Sequence, residues 1–260
     1  MLSKPIYAVS KLIHWVAVIV VGLMALPVVA DVLSRILFDK SILGMLEITE
    51  FAMVLIVFGA IAYTQMNKGH IDIDILVSSF SQKTQELIDV FNYIIGVSVY
   101  TILAWQLYIQ IGIKGSLLSN ALGLPVALFV AAAAIGMTVF AAVLLLDLLN
   151  AVSKVLKNGY YLGLIIAVLC AAFIMGLPAV LDFFSIKLSG LAMGSLGFLL
   201  MFILLMFRLP IATGMAFIGL VGMIAITGRP TAALGMAGIA PYASNSLLYD
   251  DGRPHVCSHG

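Results

Sequence analysis

Ile13-His-Trp-Val-Ala-Val-Ile-Val-Val-Gly-Leu-Met-Ala-Leu-Pro-Val-Val-Ala30 is the stretch on which the fold turns. Lys4 and Lys11 precede it and Val28-Val29-Ala30 could pass for a cleavage site, so a signal peptide is one reading. The apolar region of a signal peptide runs ~7–15 residues, and this run is longer. Comparable runs also follow it, so it reads as a retained first membrane span. Working outward, seven stretches approach the ~20 apolar residues that a transmembrane helix needs: Leu12–Leu37, Leu46–Thr64, Leu87–Gly112, Leu122–Leu149, Tyr161–Val180, Leu188–Phe207 and Ile211–Thr227. In lipid only a helix satisfies its own backbone within one segment. The expected fold is therefore all-α: a polytopic membrane protein of about seven transmembrane helices.

Composition agrees. The chain is 63% hydrophobic and 10% charged, where soluble domains carry roughly 25% charged residues. A net charge of +1 with no basic cluster argues against nucleic acid. Cys170 and Cys257 form no CxxC pair or metal-ligand spacing, and Cys170 reads as a small packing residue in an apolar run.

The Lys/Arg distribution sets orientation. With the N-terminus in the cytoplasm, the inner side receives Lys4, Lys11, Lys68, Lys83, Lys154, Lys157 and Arg208; the outer side receives Arg35, Lys40, Lys114, Lys187 and Arg229. Trp15 and Tyr160-Tyr161 read as interfacial anchors. Gln65–Glu86 is too polar for lipid. Ile71, Ile75 and Leu76 share one face of a helix with Asp72 and Asp74 turned away, which suggests a short amphipathic helix in the membrane plane. The alternation Ile71-Asp-Ile-Asp-Ile75 also fits a strand. Ser81 is a candidate N-cap for the third span, with Glu86 in its first turn. The short basic stretch Ala151–Gly159 is the expected boundary after a four-span front half.

Ionisable groups inside spans are paired or functional. Asp31 and Arg35 lie at i,i+4, and Glu47 and Glu50 at i,i+3, on either side of a short turn from Asp39 to Leu43. One cation thus meets up to three carboxylates. They either lock a helical hairpin or face a partner protein or ion route, and neutralising Arg35 is expected to impair assembly. His70-Ile-Asp72-Ile-Asp74 reads as a solvated interfacial stretch, since His and Asp two apart diverge on a helix and no second His is near. Asp147 and Asn150 belong near the headgroup boundary, and Gln106 and Asn120 are isolated. A membrane haem protein needs paired intramembrane His, where only His14 comes close. With no nucleophile–base pair, phosphate-binding loop or zinc spacing, the chain reads as a non-enzyme with no cofactor.

Arg35-Ile-Leu-Phe38, Gly44-Met-Leu-Glu47-Ile-Thr-Glu50-Phe, Phe58-Gly59 and Lys68-Gly-His70-Ile-Asp72 form an ordered series. It resembles the small membrane (Q) subunit of the tripartite ATP-independent periplasmic (TRAP) transporters over residues 1 to about 157, with Asp74 nearer the family's usual aspartate position than Asp72. Leu204-Leu-Met-Phe-Arg208-Leu-Pro210-Ile-Ala-Thr-Gly214-Met-Ala-Phe and Ala237-Gly-Ile-Ala-Pro241-Tyr resemble the start of the large (M) subunit, with Arg208 where that family usually has glycine. The resemblance implies a small-subunit domain over 1–157, a connecting transmembrane helix over 158–185, and an M-like fragment over 186–248. It further implies a bacterial inner-membrane permease component for organic acids, partnered by an M-type transport domain and a periplasmic substrate-binding protein. Sodium and substrate sites would lie in parts of M that this sequence does not include. The other reading is a structural or assembly small subunit acting with a separate M chain.

The polar tail Tyr249-Asp-Asp-Gly-Arg-Pro-His-Val-Cys-Ser-His-Gly260 differs in character from everything before it. Shifted by one base, codons that permit this tail also permit Met-Met-Thr-Val-Val-Pro-Met-Phe-Val-Leu-Met, similar to the next M span. A frameshift near codon 249, leaving a fragment not competent for transport alone, is one expectation; a genuine short variant or cloning artefact is the other.

Overall fold

The computed structural model describes residues 3–69, 74, 76–113, 115, 117–119, 121–176, 190–228 and 234–236. Within them lie seven α-helices: α1 (Ser3–Phe38), α2 (Met45–Met66), α3 (Gln82–Ile113), α4 (Val126–Lys157), α5 (Tyr161–Met175), α6 (Gly190–Met206) and α7 (Ile211–Thr227). The described residues form no strand beyond one isolated bridge between Leu118 and Pro125. The first four helices are long and apolar enough to cross a membrane. The other three are apolar but shorter, at 15, 17 and 17 residues. The expected end of the fifth span at Val180 and start of the sixth at Leu188 lie outside the described residues, as do residues 70–73 and 75 of the expected interfacial helix. After Leu76 comes a single 3-10 turn, Val77–Ser79.

Helix ends depart from the expected ones for local reasons. Pro125, with extended backbone, delays the start of α4 to Val126. No glycine or proline falls between Ala151 and Asn158, so the helix continues through this basic stretch to Lys157, and only Asn158–Tyr160 separates it from α5. Ser81 caps α3: its Oγ contacts the Thr84 hydroxyl at 3.0 Å and its carbonyl accepts the Gln85 N–H at 3.1 Å. Glu86 then falls in the second turn.

Several helices close on a left-handed residue in the Schellman arrangement. At α4 this is Gly159 (φ 76°), but at α2 it is Lys68 (φ 50°) and at α6 Arg208 (φ 65°). In α6 the Leu209 N–H returns to the Leu204 carbonyl at 3.2 Å and the Arg208 N–H to that of Leu205 at 3.1 Å. Lysine and arginine tolerate the left-handed backbone less well than glycine, but they place a cation against a helix C-terminus.

The main core lies among α2, α3 and α4, around Ala62, Tyr100, Leu107, Val130, Ala133 and Phe140. Small residues let the backbones close, as is usual where lipid supplies no hydrophobic drive. A Cβ added at Gly136 of α4 would collide with the Phe58 carbonyl of α2, and one at Gly59 would lie 3.1 Å from Ala17 of α1. A second core joins α3 to the α6–α7 hairpin through Ile95, Val99, Leu204, Leu209, Phe217 and Val221. α1 packs on α2 and leaves Leu12, Trp15, Ile19, Leu23 and Leu26 exposed, the surface expected to face lipid.

Candidate functional site

Polar side chains gather at both ends of this bundle. Where α1 passes into α2, Asp31 (5% exposed) accepts the Ile42 N–H at 2.7 Å and the Ser41 hydroxyl at 3.0 Å through Oδ1. Its Oδ2 pairs with Arg35 at 2.6 Å. Asp31 thus holds the turn closed with the other face of its carboxylate toward the guanidinium. Glu47, in the first turn of α2, accepts the Ala121 and Leu122 N–H groups at 2.7 and 3.0 Å, tying the loop before α4 to this end. Gly44 caps α2 at φ 79°, and a Cβ there would come within 2.7 Å of the Leu122 side chain. The structure therefore brings Asp31 and Arg35 together as the spacing suggested. It sets Glu47 against backbone donors that the sequence did not point to. Glu50 follows one turn later in α2, half-buried.

At the opposite end a cavity of about 200 Å³ opens among α2, α3, α4 and the α6–α7 turn. Gln65, Lys68, Asp89, Asn92, Arg208 and Thr213 supply its polar lining. Lys68 and Arg208 are the left-handed caps of α2 and α6, so two helix C-termini deliver their cations to one space. Arg208 reaches Asp89 through Nη1 and Asp74 through Nε, each at 3.7 Å. Asn92 Nδ2 donates to the Phe207 carbonyl at 2.9 Å, and the Tyr100 and Thr213 hydroxyls meet at 3.3 Å. Gln65 Nε2 donates to Asp147 Oδ2 at 3.0 Å, joining α2 to α4. Glu86, nearly buried, accepts from Asn158 Nδ2 at 3.0 Å and faces the Lys154 ammonium at 3.6 Å. Lys83 sits over the Tyr160 ring at 4.8 Å.

Of the stretch expected to resemble M, Arg208 and Pro210 line this cavity, and Gly214 is buried within the first turn of α7, 3.6 Å from Leu209 at its nearest by the position its Cβ would take. Asp74 is exposed and joined to Arg208. His70, Asp72, Pro241 and the 249–260 tail lie outside the described residues. Asp89 and Asn92 went unremarked in the sequence, yet Asp89, Asn92, Gly96 and Tyr100 recur at helical steps of three and four, and that polar stripe was the available signal. His14 stacks on Tyr63 at 4.2 Å across α1 and α2. Among the described residues no cluster of His, Cys, Asp or Glu could hold a metal ion. Apart from the Asp31–Arg35 pair within α1, what these polar groups do is fasten elements to one another or close the turn between them.

No curated protein matches the chain. The family model for the DctQ component of the tripartite ATP-independent periplasmic transporters matches residues 24–154, half of the chain. The match begins within α1 and ends near the end of α4, so it covers Asp31, Arg35, Glu47, Glu50, Asp74 and Asp89, and stops before α5. A four-helix membrane bundle held by a charged turn at one end and a polar cluster at the other, matched over that same bundle, belongs to the DctQ family of TRAP transporter components.

Proposed function

We propose that the chain is the membrane scaffold of a TRAP transporter for organic acids. Residues 1–157 act as the small component, 158–185 as a connecting transmembrane helix and 186–248 as the opening of an M-like transport segment. The observation that carries the reading is the fit between the two parts: α3 of the family-matched bundle packs on Leu204, Leu209 and Phe217 of the M-like stretch, with Arg208 paired to Asp89. In this reading α5, α6 and α7 also cross the bilayer. The N-terminus lies in the cytoplasm of a bacterial inner membrane, and His70, Asp72 and Asp74 lie at the membrane surface, where a partner can reach them. Asp31, Arg35, Glu47 and Glu50 lock the α1–α2 hairpin. Substrate selection belongs to a periplasmic binding protein and sodium coupling to an M-type transport domain; the scaffold performs no chemistry and takes no cofactor.

A second reading makes the chain a small subunit acting with a separate M chain. It is favoured by the extent of the family match, which covers the small component and ends at residue 154. Reconstitution tests both. In proteoliposomes with a sodium gradient and a binding protein, the chain alone is expected to give no organic-acid uptake. Uptake on adding a complete M chain that co-purifies with it favours the second reading. Substrate-specific uptake by the chain alone, or failure of any M chain to associate, overturns the scaffold role.

A further inference from the structure

Asp89, Asn92, Gly96 and Tyr100 lie along one face of α3 and meet the α6–α7 hairpin at Arg208, Phe207 and Thr213. Asp89 faces the Arg208 guanidinium at 3.7 Å. Asn92 donates at 2.9 Å to the carbonyl of Phe207, one of the acceptors that a helix leaves unpaired where it stops. Gly96 keeps the surface shallow: even a Cβ there would sit at ordinary contact distance, 3.9 Å, from Thr213. Tyr100 meets the Thr213 hydroxyl, in the first turn of α7, at 3.3 Å. Apolar contacts of Ile95 and Val99 with Leu204, Leu209 and Phe217 flank the stripe and would accept many apolar hairpins. The polar features discriminate.

Arg208 is the most telling of them. It occupies the left-handed position that closes α6, where glycine bears no steric cost. An arginine there is the harder backbone choice, and its side chain spans two carboxylates that come from different parts of the bundle, Asp74 and Asp89. We propose that the α3 stripe is a recognition surface for a helical hairpin whose turn presents a free carbonyl, then a cation at the left-handed cap, then a hydroxyl in the first turn of the second helix. The occupant is this chain's own Leu204–Val221 hairpin, and Arg208 is its specificity-determining residue. Glycine at 208 relaxes the cap but answers neither carboxylate. An acidic residue there meets like charge from both. The inference deepens the scaffold reading by naming the surface through which the bundle holds M-like structure.

Disulfide trapping in the full chain tests this. With Cys170 and Cys257 replaced by serine, Gly96→Cys and Thr213→Cys form a reporter pair, since a Cβ at residue 96 lies 3.9 Å from the Thr213 methyl. In membranes, oxidation of this pair is expected to be rapid with Arg208 or Arg208→Lys, and about fivefold slower with Arg208→Gly or Arg208→Asp, the factor for a partly exposed ionic contact. Asp89→Asn is expected to slow trapping beside Arg208 and to add nothing beside Arg208→Gly, because the two residues act through each other. Equal trapping across the 208 series, or additive effects of Asp89→Asn and Arg208→Gly, overturns the proposal. Arg208→Lys guards against a variant that only misfolds. Trapping is read without transport, so the expected pattern together with absent uptake in every reconstitution rejects the transporter reading and leaves the recognition surface standing.

Discussion

Glu47 shows how a charged residue near a membrane surface is committed by its partners. Its two carboxylate oxygens accept from Ala121 and Leu122, more than seventy positions away in the chain. Removing it by Glu47→Ala leaves both N–H groups without their acceptor, a loss of about 1–3 kcal/mol given partial exposure. The thermal midpoint of the detergent-purified protein is expected to fall, with Glu47→Gln in between because an amide keeps one acceptor. Midpoints equal to wild type in both variants would show that the loop before α4 is held by something else. The sequence placed Glu47 beside Arg35 by counting residues on either side of a short turn, and that count is blind to a third segment arriving from the α3–α4 connection. Asp31 is a similar case. Its i,i+4 partner Arg35 was legible, whereas the Ser41 hydroxyl and Ile42 N–H exist as partners only once the turn has formed.

Among elements, α2 and α4 have the most exacting contact. Gly136 lies against the Phe58 carbonyl, and no larger residue fits without moving backbone. Gly136→Leu is expected to cost at least the ~1–3 kcal/mol of an overpacked core and to lower the amount of folded protein in the membrane. Gly112→Leu, where nothing lies within 4 Å of an added Cβ, is the control and should remain near wild type. Similar levels for the two variants would mean that α2 and α4 do not touch there. That helices exist was readable from apolar runs, since length and hydropathy suffice. Where they stop was less so. Gly159 and Gly228 mark their helix ends as glycine usually does, but Lys68 and Arg208 close α2 and α6 with no sequence cue, because a cation at a C-cap looks like any other charged loop residue. In the stretch 151–157 the lysines suggest a linker, yet it holds no glycine or proline to stop a helix and α4 runs on through it to Lys157.

For the whole molecule, the two polar ends give orientation a physical test. Lys68, Lys154 and Arg208 gather where α2 and α4 finish, and Arg35 and Lys40 lie where α1 finishes. By the positive-inside rule the first end is expected to face the cytoplasm. In a chain without native cysteines, Lys68→Cys and Lys154→Cys are expected to resist a membrane-impermeant maleimide in intact spheroplasts and to react after lysis, whereas Lys40→Cys reacts in both. The opposite pattern reverses the topology. The α6–α7 hairpin adds a consequence for the surrounding lipid. α7 is bounded by Pro210 and the left-handed Gly228, so its 17 residues span only about 26 Å at 1.5 Å per residue. The hydrocarbon layer is about 30 Å thick, and the neighbouring α3, at 32 residues, exceeds it. With α7 crossing the bilayer as proposed, a bilayer that meets α3 on one flank and α7 on the next would have to change thickness around the protein's circumference. Such a step draws in shorter-chain lipids and makes the α7 flank the place where another apolar surface would gain most by displacing them.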